Sequence, residues 1–279
     1  MKIKIIFISL FSLIIMSTYG QWQKINAPQY DNSFYSVCFY DESTGFLATI
    51  WDVYKTINGG LTWTIVNIPE ARDRINDIHM LDENVVWLTS DDNSSAHNGG
   101  TILKSVDCGN TWEVVFDLNF FALDNLFFLD DMHVWVTSDF HRVFISDDGG
   151  ENWLESDEME MYNVSKVYFI DENTGWACGG GSDCQIYKST DGGQSWELQF
   201  NEHDGYMMGL RDIVFFNDQK GFVCGRDRRL MATENGGETW EMIARDTIEG
   251  PLIGLPSDYA ISGIEFKDQN RGWIIGGPC

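Results

Sequence analysis

Cationic residues are scarce in this chain. Its 279 residues include 18 Lys and Arg against 43 Asp and Glu, which gives a formal net charge of −25 at pH 7. Nucleic acids and anionic lipid surfaces are bound through lysines and arginines that neutralise phosphate. The acidic excess therefore argues against both of these partners. Solubility of the protein surface explains the same charge, and an acidic functional face is the alternative explanation.

Long apolar runs are also scarce, with one exception at the N-terminus. Lys2 and Lys4 form a positive start, residues 5–16 an almost unbroken apolar run, and a short stretch of small and polar residues ends at Gly20. This order is typical of a secretory signal peptide over residues 1–20, with cleavage near Gly20. A retained anchor is the alternative, but the run is shorter than the ~20 apolar residues of a membrane span.

The mature chain has no second apolar run long enough to cross a membrane. It keeps 16 Lys and Arg against 43 acids, a formal charge of −27. We therefore expect a soluble protein that is secreted or periplasmic.

The sequence lacks common catalytic and metal-binding motifs. The sequence contains no Gly-x-Ser-x-Gly elbow, no Cys-x-x-Cys and no His-Glu-x-x-His, and its five histidines are scattered. Residues 91–95 offer oxygen ligands but lack the Gly and the distal Glu of a calcium-binding EF-hand loop. The sequence therefore predicts no catalytic residue, no metal site and no cofactor.

An eight-residue motif, in contrast, occurs five times. Each copy has Ser or Thr first, Asp or Asn third, Gly fifth and Trp last, and the copies begin at Thr56, Ser105, Ser146, Ser189 and Thr233. Successive motif tryptophans are 49, 41, 43 and 44 residues apart. Such regular spacing indicates a repeat architecture with one structural unit per motif.

The motif has the chemistry of a tight hairpin between two strands. Its hydroxyl and its Asp or Asn side chain can bond nearby backbone N–H groups, and Gly adopts the positive φ that the turn needs. The Trp begins the next strand and can pack over the hairpin. The motif acids are therefore predicted to be structural rather than catalytic. The residues assigned to this structural role are Asn58, Trp63, Asp107, Trp112, Asp148, Trp153, Asp191, Trp196, Asn235 and Trp240.

Two further strand signals precede each motif, an apolar run that ends in acids and a second run that begins with an aromatic residue. The aromatic residues are Phe46, Trp87, Trp135, Trp176, Phe222 and, in a sixth unit without a motif, Trp273. Short strands with turns at regular intervals predict an all-β fold. Specifically, we expect a β-propeller of about six four-stranded blades, forming a single domain over residues 21–279.

The sixth unit stops after its second strand, at residues 272–279. Residues 21–25 look like an outer strand without a blade of its own, and pairing them with the last blade is expected to help close the ring. The alternatives are a six-bladed ring with one thin blade and a fragment of a longer chain. The missing third strand favours a fragment or an imperfectly closed ring.

Six cysteines in an exported chain make disulfides possible. Cys178 and Cys184 flank residues 179–183 and are predicted as a possible disulfide across a hairpin loop. Cys38 and Cys224 lie within apolar strand runs, where a buried free thiol is the common state.

The eight-residue motif resembles the Asp-box, or BNR repeat, of sialidases, sortilin-type receptors and several glycosidases. The longer segment 171–193 is most similar to exported propellers related to the photosystem II assembly and stability factor. This resemblance implies the propeller fold and a role as a binding scaffold. An arginine-rich patch in photosynthetic relatives implies a similar role for Arg226, Arg228 and Arg229, with a solvated hairpin loop as the alternative. The chain lacks the Arg-Ile-Pro motif of sialidases, which argues against sialidase activity.

Binding residues are expected in the loops at the blade ends opposite the motif hairpins. Aromatic residues and methionines in such loops provide adaptable contact surface, and packing beneath the loops is the alternative. The remaining candidate binding residues are Phe120, Phe121, Tyr206, Met207, Met208 and Arg211. We expect a non-enzymatic scaffold with a protein or glycan partner. A carbohydrate-active hydrolase or glycan-binding module is the alternative, with Asp124 and Asp212 as candidate carboxylates.

Overall fold

The computed structural model of the chain describes residues 34–92, 99–139, 141–161, 163–203, 209–243, 259–268 and 271–278. Every regular element in these segments is a β-strand, which confirms the predicted all-β class. The strands form five four-stranded antiparallel sheets and one two-stranded sheet. Each four-stranded sheet is a meander in chain order, the arrangement of a propeller blade. These segments contain no helix that could span a membrane.

Residue contacts divide the chain into two compact units, with the boundary between Asp117 and Leu118. The N-terminal unit contains blades 1 and 2. Blade 1 consists of β1 (Phe34–Phe39), β2 (Gly45–Thr49), β3 (Val53–Thr56) and β4 (Thr64–Val66). Blade 2 consists of β5 (Arg74–Met80), β6 (Val86–Asp91), β7 (Gly100–Ser105) and β8 (Glu113–Asp117).

The C-terminal unit contains blades 3 to 6. Blade 3 consists of β9 (Leu123–Phe128), β10 (Val134–Ser138), β11 (Val143–Ser146) and β12 (Leu154–Glu155). Blade 4 consists of β13 (Val164–Phe169), β14 (Gly175–Gly179), β15 (Asp183–Ser189) and β16 (Glu197–His203). Blade 5 consists of β17 (Leu210–Phe215), β18 (Gly221–Gly225), β19 (Leu230–Thr233) and β20 (Glu241–Met242). Blade 6 consists of β21 (Tyr259–Asp268) and β22 (Arg271–Pro278).

Blade 6 contains both strands predicted for the sixth unit. The strand predicted at residues 21–25 lies outside the described residues, so its pairing with the last blade stays a prediction.

The second strand of each four-stranded blade is its most buried element. Every residue of β2, β6, β10, β14 and β18 is buried. The short outer strands β12 and β20 are exposed. A strand that is covered on both faces does not alternate between apolar and polar residues. This explains why the sequence runs that begin with an aromatic residue do not show such alternation.

Aromatic rings on the second strands hold neighbouring blades of the C-terminal unit together. Trp176 of blade 4 stacks on Phe215 of blade 5, with ring centroids 3.5 Å apart. Its Nε1–H group donates to the carbonyl of Gly236 at 3.0 Å. The equivalent residues between blades 3 and 4 are Trp135, Phe169 and Gly192. Both glycines belong to the hairpin motif of the following blade, so the motif also anchors the blade that precedes it.

The hairpin motifs share one hydrogen-bond pattern, shown here for blade 4. Ser189 Oγ donates to Asp191 Oδ1 at 2.8 Å and accepts from the N–H of Gly193 at 2.8 Å. The same Oδ1 accepts from the N–H of Ser195 at 3.0 Å. Gly193 has a φ of 91°, a conformation that glycine adopts without strain. The Asp191 carboxylate is therefore occupied by its own turn.

Candidate functional site

The loop face is the set of blade ends opposite the hairpin motifs. It comprises the loops between second and third strands and the connections that enter the inner strands. In the C-terminal unit the loops between second and third strands are residues 139–142, 180–182 and 226–229.

Phe120 and Phe121 precede β9 on the loop face of blade 3. The Phe120 side chain is 68 % exposed, and Phe121 is half-buried. The guanidinium carbon of Arg142 lies 5.0 Å from the centre of the Phe121 ring, a cation–π contact. Arg142 also pairs with Glu155 and, at 2.7 Å, with Glu158. An ion-pair cluster therefore holds Phe121, while the neighbouring Phe120 is exposed.

The connection that follows β12 packs beneath this cluster. Met159 and Met161 are buried in the core that also contains Trp135 and Phe169. The N–H of Met159 donates to the carbonyl of His141 at 3.2 Å, which ties the connection to the loop of residues 139–142. For these two methionines the structure supports packing rather than a binding surface.

The predicted arginine patch is a two-residue hairpin between β18 and β19. Asp227 and Arg228 have φ values of 51° and 55°, the pair of positive values that a type I′ turn requires. The Arg229 side chain is only 7 % exposed and pairs with Glu202 of blade 4. Arg229 therefore joins two blades instead of belonging to an exposed patch. Arg226 and Arg228 are half-exposed and form what is left of that patch.

Arg211 is exposed at a β-bulge in β17. It lies at the same end of blade 5 as the arginine hairpin, where the N–H of Arg226 donates to the carbonyl of Gly209 at 3.5 Å. Because Phe120 and Phe121 belong to blade 3, the predicted residues fall into two groups with blade 4 between them. Tyr206, Met207 and Met208 lie outside the described residues.

Asp212 follows the bulge and is bound by backbone groups. Its Oδ1 accepts from the N–H of Ile213 at 3.0 Å, and its Oδ2 from the N–H of Ile264 of blade 6 at 2.8 Å. Desolvation raises the pKa of Asp212, and the charge of Lys166 opposes this rise. Desolvation and the nearby Asp212 also raise the pKa of Glu265. Asp212 therefore joins two inner strands, a structural role for a residue that the sequence offered as a hydrolase carboxylate.

Cys178 and Cys184 are buried free thiols, so the predicted disulfide is not formed. Cys178 pairs with Ile186 in the sheet, which places Cys184 on the diagonal, two residues away. Diagonal Cα atoms lie about 7–8 Å apart, beyond the reach of a disulfide. Burial raises the pKa of Cys178 and Cys224 well above the usual range, so both thiols stay protonated.

Over the described segments, no group of three or more His, Cys, Asp or Glu side chains is arranged to hold a metal ion.

A loop-face cleft of about 350 Å³ in the N-terminal unit was not predicted. It lies where the β2–β3 loop meets the connection between blades 1 and 2, and its lining includes Trp51, Ala71 and Arg72. The Trp51 side chain is 49 % exposed, whereas Arg72 is held by Thr101 and Asp117. An aromatic residue in a turn between two strand runs is the sequence signal that indicates such a surface.

Comparisons with known proteins agree with this architecture. The chain matches the family described as Photosynthesis system II assembly factor YCF48 over residues 205–279, and the BNR/Asp-box repeat over residues 187–198. The Photosystem II assembly proteins Ycf48 of two Synechococcus strains are 22 % and 21 % identical over 64 % of this chain and 51 % of their own length. The chain thus spans about half the length of these relatives. The chloroplastic Photosystem II stability/assembly factor HCF136 of Arabidopsis thaliana is 34 % identical over 30 % of this chain and 20 % of that protein.

Solved structures show the same fold. YCF48 bound to D1 peptide has a TM-score of 0.69 and 16 % identity, over 92 % of this chain and 80 % of that one. The GH74 xyloglucanase from Xanthomonas campestris has a TM-score of 0.61 and 12 % identity, over 86 % of this chain and 47 % of that one. At these identities the likeness establishes the fold alone. Together with the sequence matches, it confirms an Asp-box β-propeller related to the photosystem II assembly factor.

Proposed function

We propose that this chain is an exported, non-enzymatic β-propeller that binds a polypeptide segment on its loop face and acts as an assembly scaffold. The observation that carries the proposal is the exposed ring of Phe120 beside the fixed pair of Phe121 and Arg142. Aromatic residues and arginines account for much of the binding energy of protein interfaces. The names of the relatives support the same role, since they are assembly or stability factors and one solved neighbour holds a D1 peptide.

The arginines of blade 5 indicate the chemistry of the partner. Arg211 is exposed, and Arg226 and Arg228 are half-exposed, in a chain with a large excess of acids. A guanidinium binds a carboxylate through two parallel hydrogen bonds. The partner segment is therefore expected to present an acidic residue to blade 5 and an apolar residue to Phe120 of blade 3.

Selection of random peptides displayed on phage tests this role, followed by fluorescence anisotropy of the selected peptide with the purified mature chain. Phe120→Ala is expected to weaken binding about 10-fold, and Arg211→Ala about 3-fold. Val106→Ala is the matched control, because Val106 is 61 % exposed but lies in a hairpin motif. Unchanged affinity of Phe120→Ala contradicts the proposal, as does turnover of any polysaccharide in a glycan panel.

Export is the part of the proposal that rests on residues 1–20, which have the charge and apolar order of a signal peptide. N-terminal sequencing of the protein recovered outside the cytoplasm is expected to begin at or near Gln21. A chain that still begins at Met1 contradicts cleavage.

A further inference from the structure

One position in the blades repeatedly carries a lysine. The third-strand residue that pairs with the second-strand aromatic is Lys55 in blade 1, Lys104 in blade 2 and Lys188 in blade 4. Each Nζ lies over the ring of its partner, 5.7, 4.6 and 5.1 Å from the ring centroid respectively. This is the geometry of a cation–π contact.

Two of these ammonium groups also bind the hairpin motif of the next blade. Lys55 Nζ donates to the carbonyl of Cys108 at 2.6 Å, and Lys188 Nζ to the carbonyl of Gly236 at 3.2 Å. The chain thus supplies its own cation at the junction of blades 1 and 2 and at the junction of blades 4 and 5.

Blade 3 has no lysine at this position. Ile145 pairs with Trp135 instead, and a cleft of about 340 Å³ lies at the junction of blades 3 and 4, beside their hairpin motifs. Trp153 and Leu154 contribute apolar surface to this cleft, and Leu154 is 52 % exposed. The space is therefore open to solvent and has an aromatic wall.

Carboxylates from both blades line the same cleft. Asp147 is exposed and occupies the second position of its motif. The other motifs have Ile57, Val106, Thr190 and Glu234 at that position. Glu172 comes from the β13–β14 turn of blade 4, and its Oε2 lies 3.7 Å from Nε2 of His133. Nδ1 of His133 lies 2.9 Å from Oδ1 of Asp130. Negative charge thus lies beside Ile145, at the position where the junction of blades 1 and 2 and that of blades 4 and 5 hold an ammonium group.

We propose that this cleft binds the ammonium or guanidinium group of a lysine or arginine side chain from a partner polypeptide. The incoming cation lies beside Ile145, the residue at the position that carries a lysine in blades 1, 2 and 4. Asp147 and Glu172 neutralise its charge, and Trp153 and Leu154 pack against its methylene stem. Because the cleft lies at the blade ends opposite the loop face, it is a second site that goes beyond the proposed function.

Charge favours a cationic side chain over a neutral sugar as the occupant. Aromatic rings beside carboxylates also suit a sugar, so shape alone does not separate the two ligands. A charge of −27 on the mature chain, however, attracts cations before contact and has no such effect on a neutral glycan.

Titration of the mature chain with acetyl-Gly-Lys-Gly-amide and acetyl-Gly-Arg-Gly-amide, followed through its indole NMR signals, tests the proposal. Both peptides are expected to shift the Trp153 signal with dissociation constants on the order of 1 mM, and acetyl-Gly-Gln-Gly-amide is expected to leave it in place. Asp147→Asn and Glu172→Gln are each expected to weaken binding about 3-fold or more. Thr190→Asn, a substitution at the same motif position in blade 4, is the matched control and is expected to change nothing.

Ile145→Lys is the decisive variant, because it introduces into blade 3 the lysine that three other blades have at this position. It is expected to abolish binding of both charged peptides and to raise the thermal unfolding midpoint. Undiminished binding by folded Ile145→Lys overturns the proposal. If that variant does not fold, the double variant Asp147→Asn/Glu172→Gln decides, and unchanged affinity then overturns it. A xyloglucan oligosaccharide that shifts the Trp153 signal more strongly than the charged peptides also overturns it.

Discussion

Asp107 illustrates how the hairpin motif uses an acid for structure. The N–H and the hydroxyl of Thr111 donate to its two carboxylate oxygens at 2.8 and 2.7 Å, and these bonds lower the pKa of Asp107 to about 2. Asn58 and Asn235 occupy the same position in blades 1 and 5 without a titrating group. The turn therefore needs an acceptor oxygen, and the charge is secondary.

Motifs that carry Asp are expected to lose stability in acid. The folded pKa of Asp107 lies below its usual value of 3.8, so its contribution is complete above about pH 4 and is lost as the pH falls towards 2. Asp107→Asn removes this proton-linked contribution. Between about pH 5 and pH 2, the urea unfolding midpoint of the variant is expected to fall less than that of the wild type. Parallel decreases for the two proteins contradict this account of Asp107.

The hydroxyl that begins each motif is expected to matter more than an exposed hydroxyl elsewhere. Ser189→Ala removes the acceptor of the buried Gly193 N–H and is expected to lower the free energy of unfolding by about 1–3 kcal/mol. Ser182→Ala is the control, because Ser182 is exposed and makes only a 3.3 Å contact with Asp183. The control is expected to change stability by less than about 0.5 kcal/mol in the same urea titration. Equal decreases in the free energy of unfolding for the two variants would contradict this role of the motif hydroxyl.

The role of a residue can be predicted from the sequence when its partners are close in the chain, but not when its partner is far away in the chain. The roles of Ser189 and Asp191 follow from spacing inside eight residues, because all their partners belong to one turn. Arg229 is part of a basic cluster in the sequence, but its partner Glu202 is 27 residues away on another blade. No local pattern indicates that ion pair, so the sequence groups the buried Arg229 with the half-exposed Arg226 and Arg228.

At the scale of elements, the junction between two blades depends on the hairpin motif of the second. Trp176 and Lys188 of blade 4 both donate to the carbonyl of Gly236. A Cβ atom added to Gly237 would lie 3.0 Å from Nε1 of Trp176. The motif glycines therefore permit the close approach of the preceding blade as well as the turn.

Lys188→Met tests this junction. It removes the cation over Trp176 and the bond to Gly236, so the free energy of unfolding is expected to fall by about 1 kcal/mol. Lys220→Met is the matched control, since the Lys220 side chain is 45 % exposed and pairs with Glu234 at 2.7 Å on the surface. That surface pair is expected to contribute less than about 0.5 kcal/mol. Urea unfolding of both variants checks the difference, and a larger loss for Lys220→Met contradicts it.

The sequence reveals the strands and hairpins of the blades but not their junctions. Strand order follows from the regular spacing of five motifs, because each hairpin joins residues close in the chain. The sequence also shows that three motifs are directly preceded by a lysine, namely Lys55, Lys104 and Lys188. Its contact with a carbonyl of the next blade depends on how two blades pack, so neither that contact nor the cleft beside Ile145 was predicted.

At the scale of the whole molecule, the C-terminal unit carries different chemistry at the two ends of its blades. The loop face has Phe120 and the exposed Arg211, and the hairpin side has the acidic cleft of Asp147 and Glu172. Fold class and relationship followed from the sequence because a repeated motif specifies a repeated unit. The partner did not, because loops vary independently of the blades that carry them.

The central claim is that the loop face of the C-terminal unit binds a polypeptide. Hydrogen–deuterium exchange of the mature chain, with and without its selected peptide, tests this claim most directly. We expect the peptide to slow exchange in residues 118–122 and 225–229 and to leave the hairpin motif at residues 189–196 unchanged. Protection confined to that motif, or absent from both loop segments, would contradict the claim.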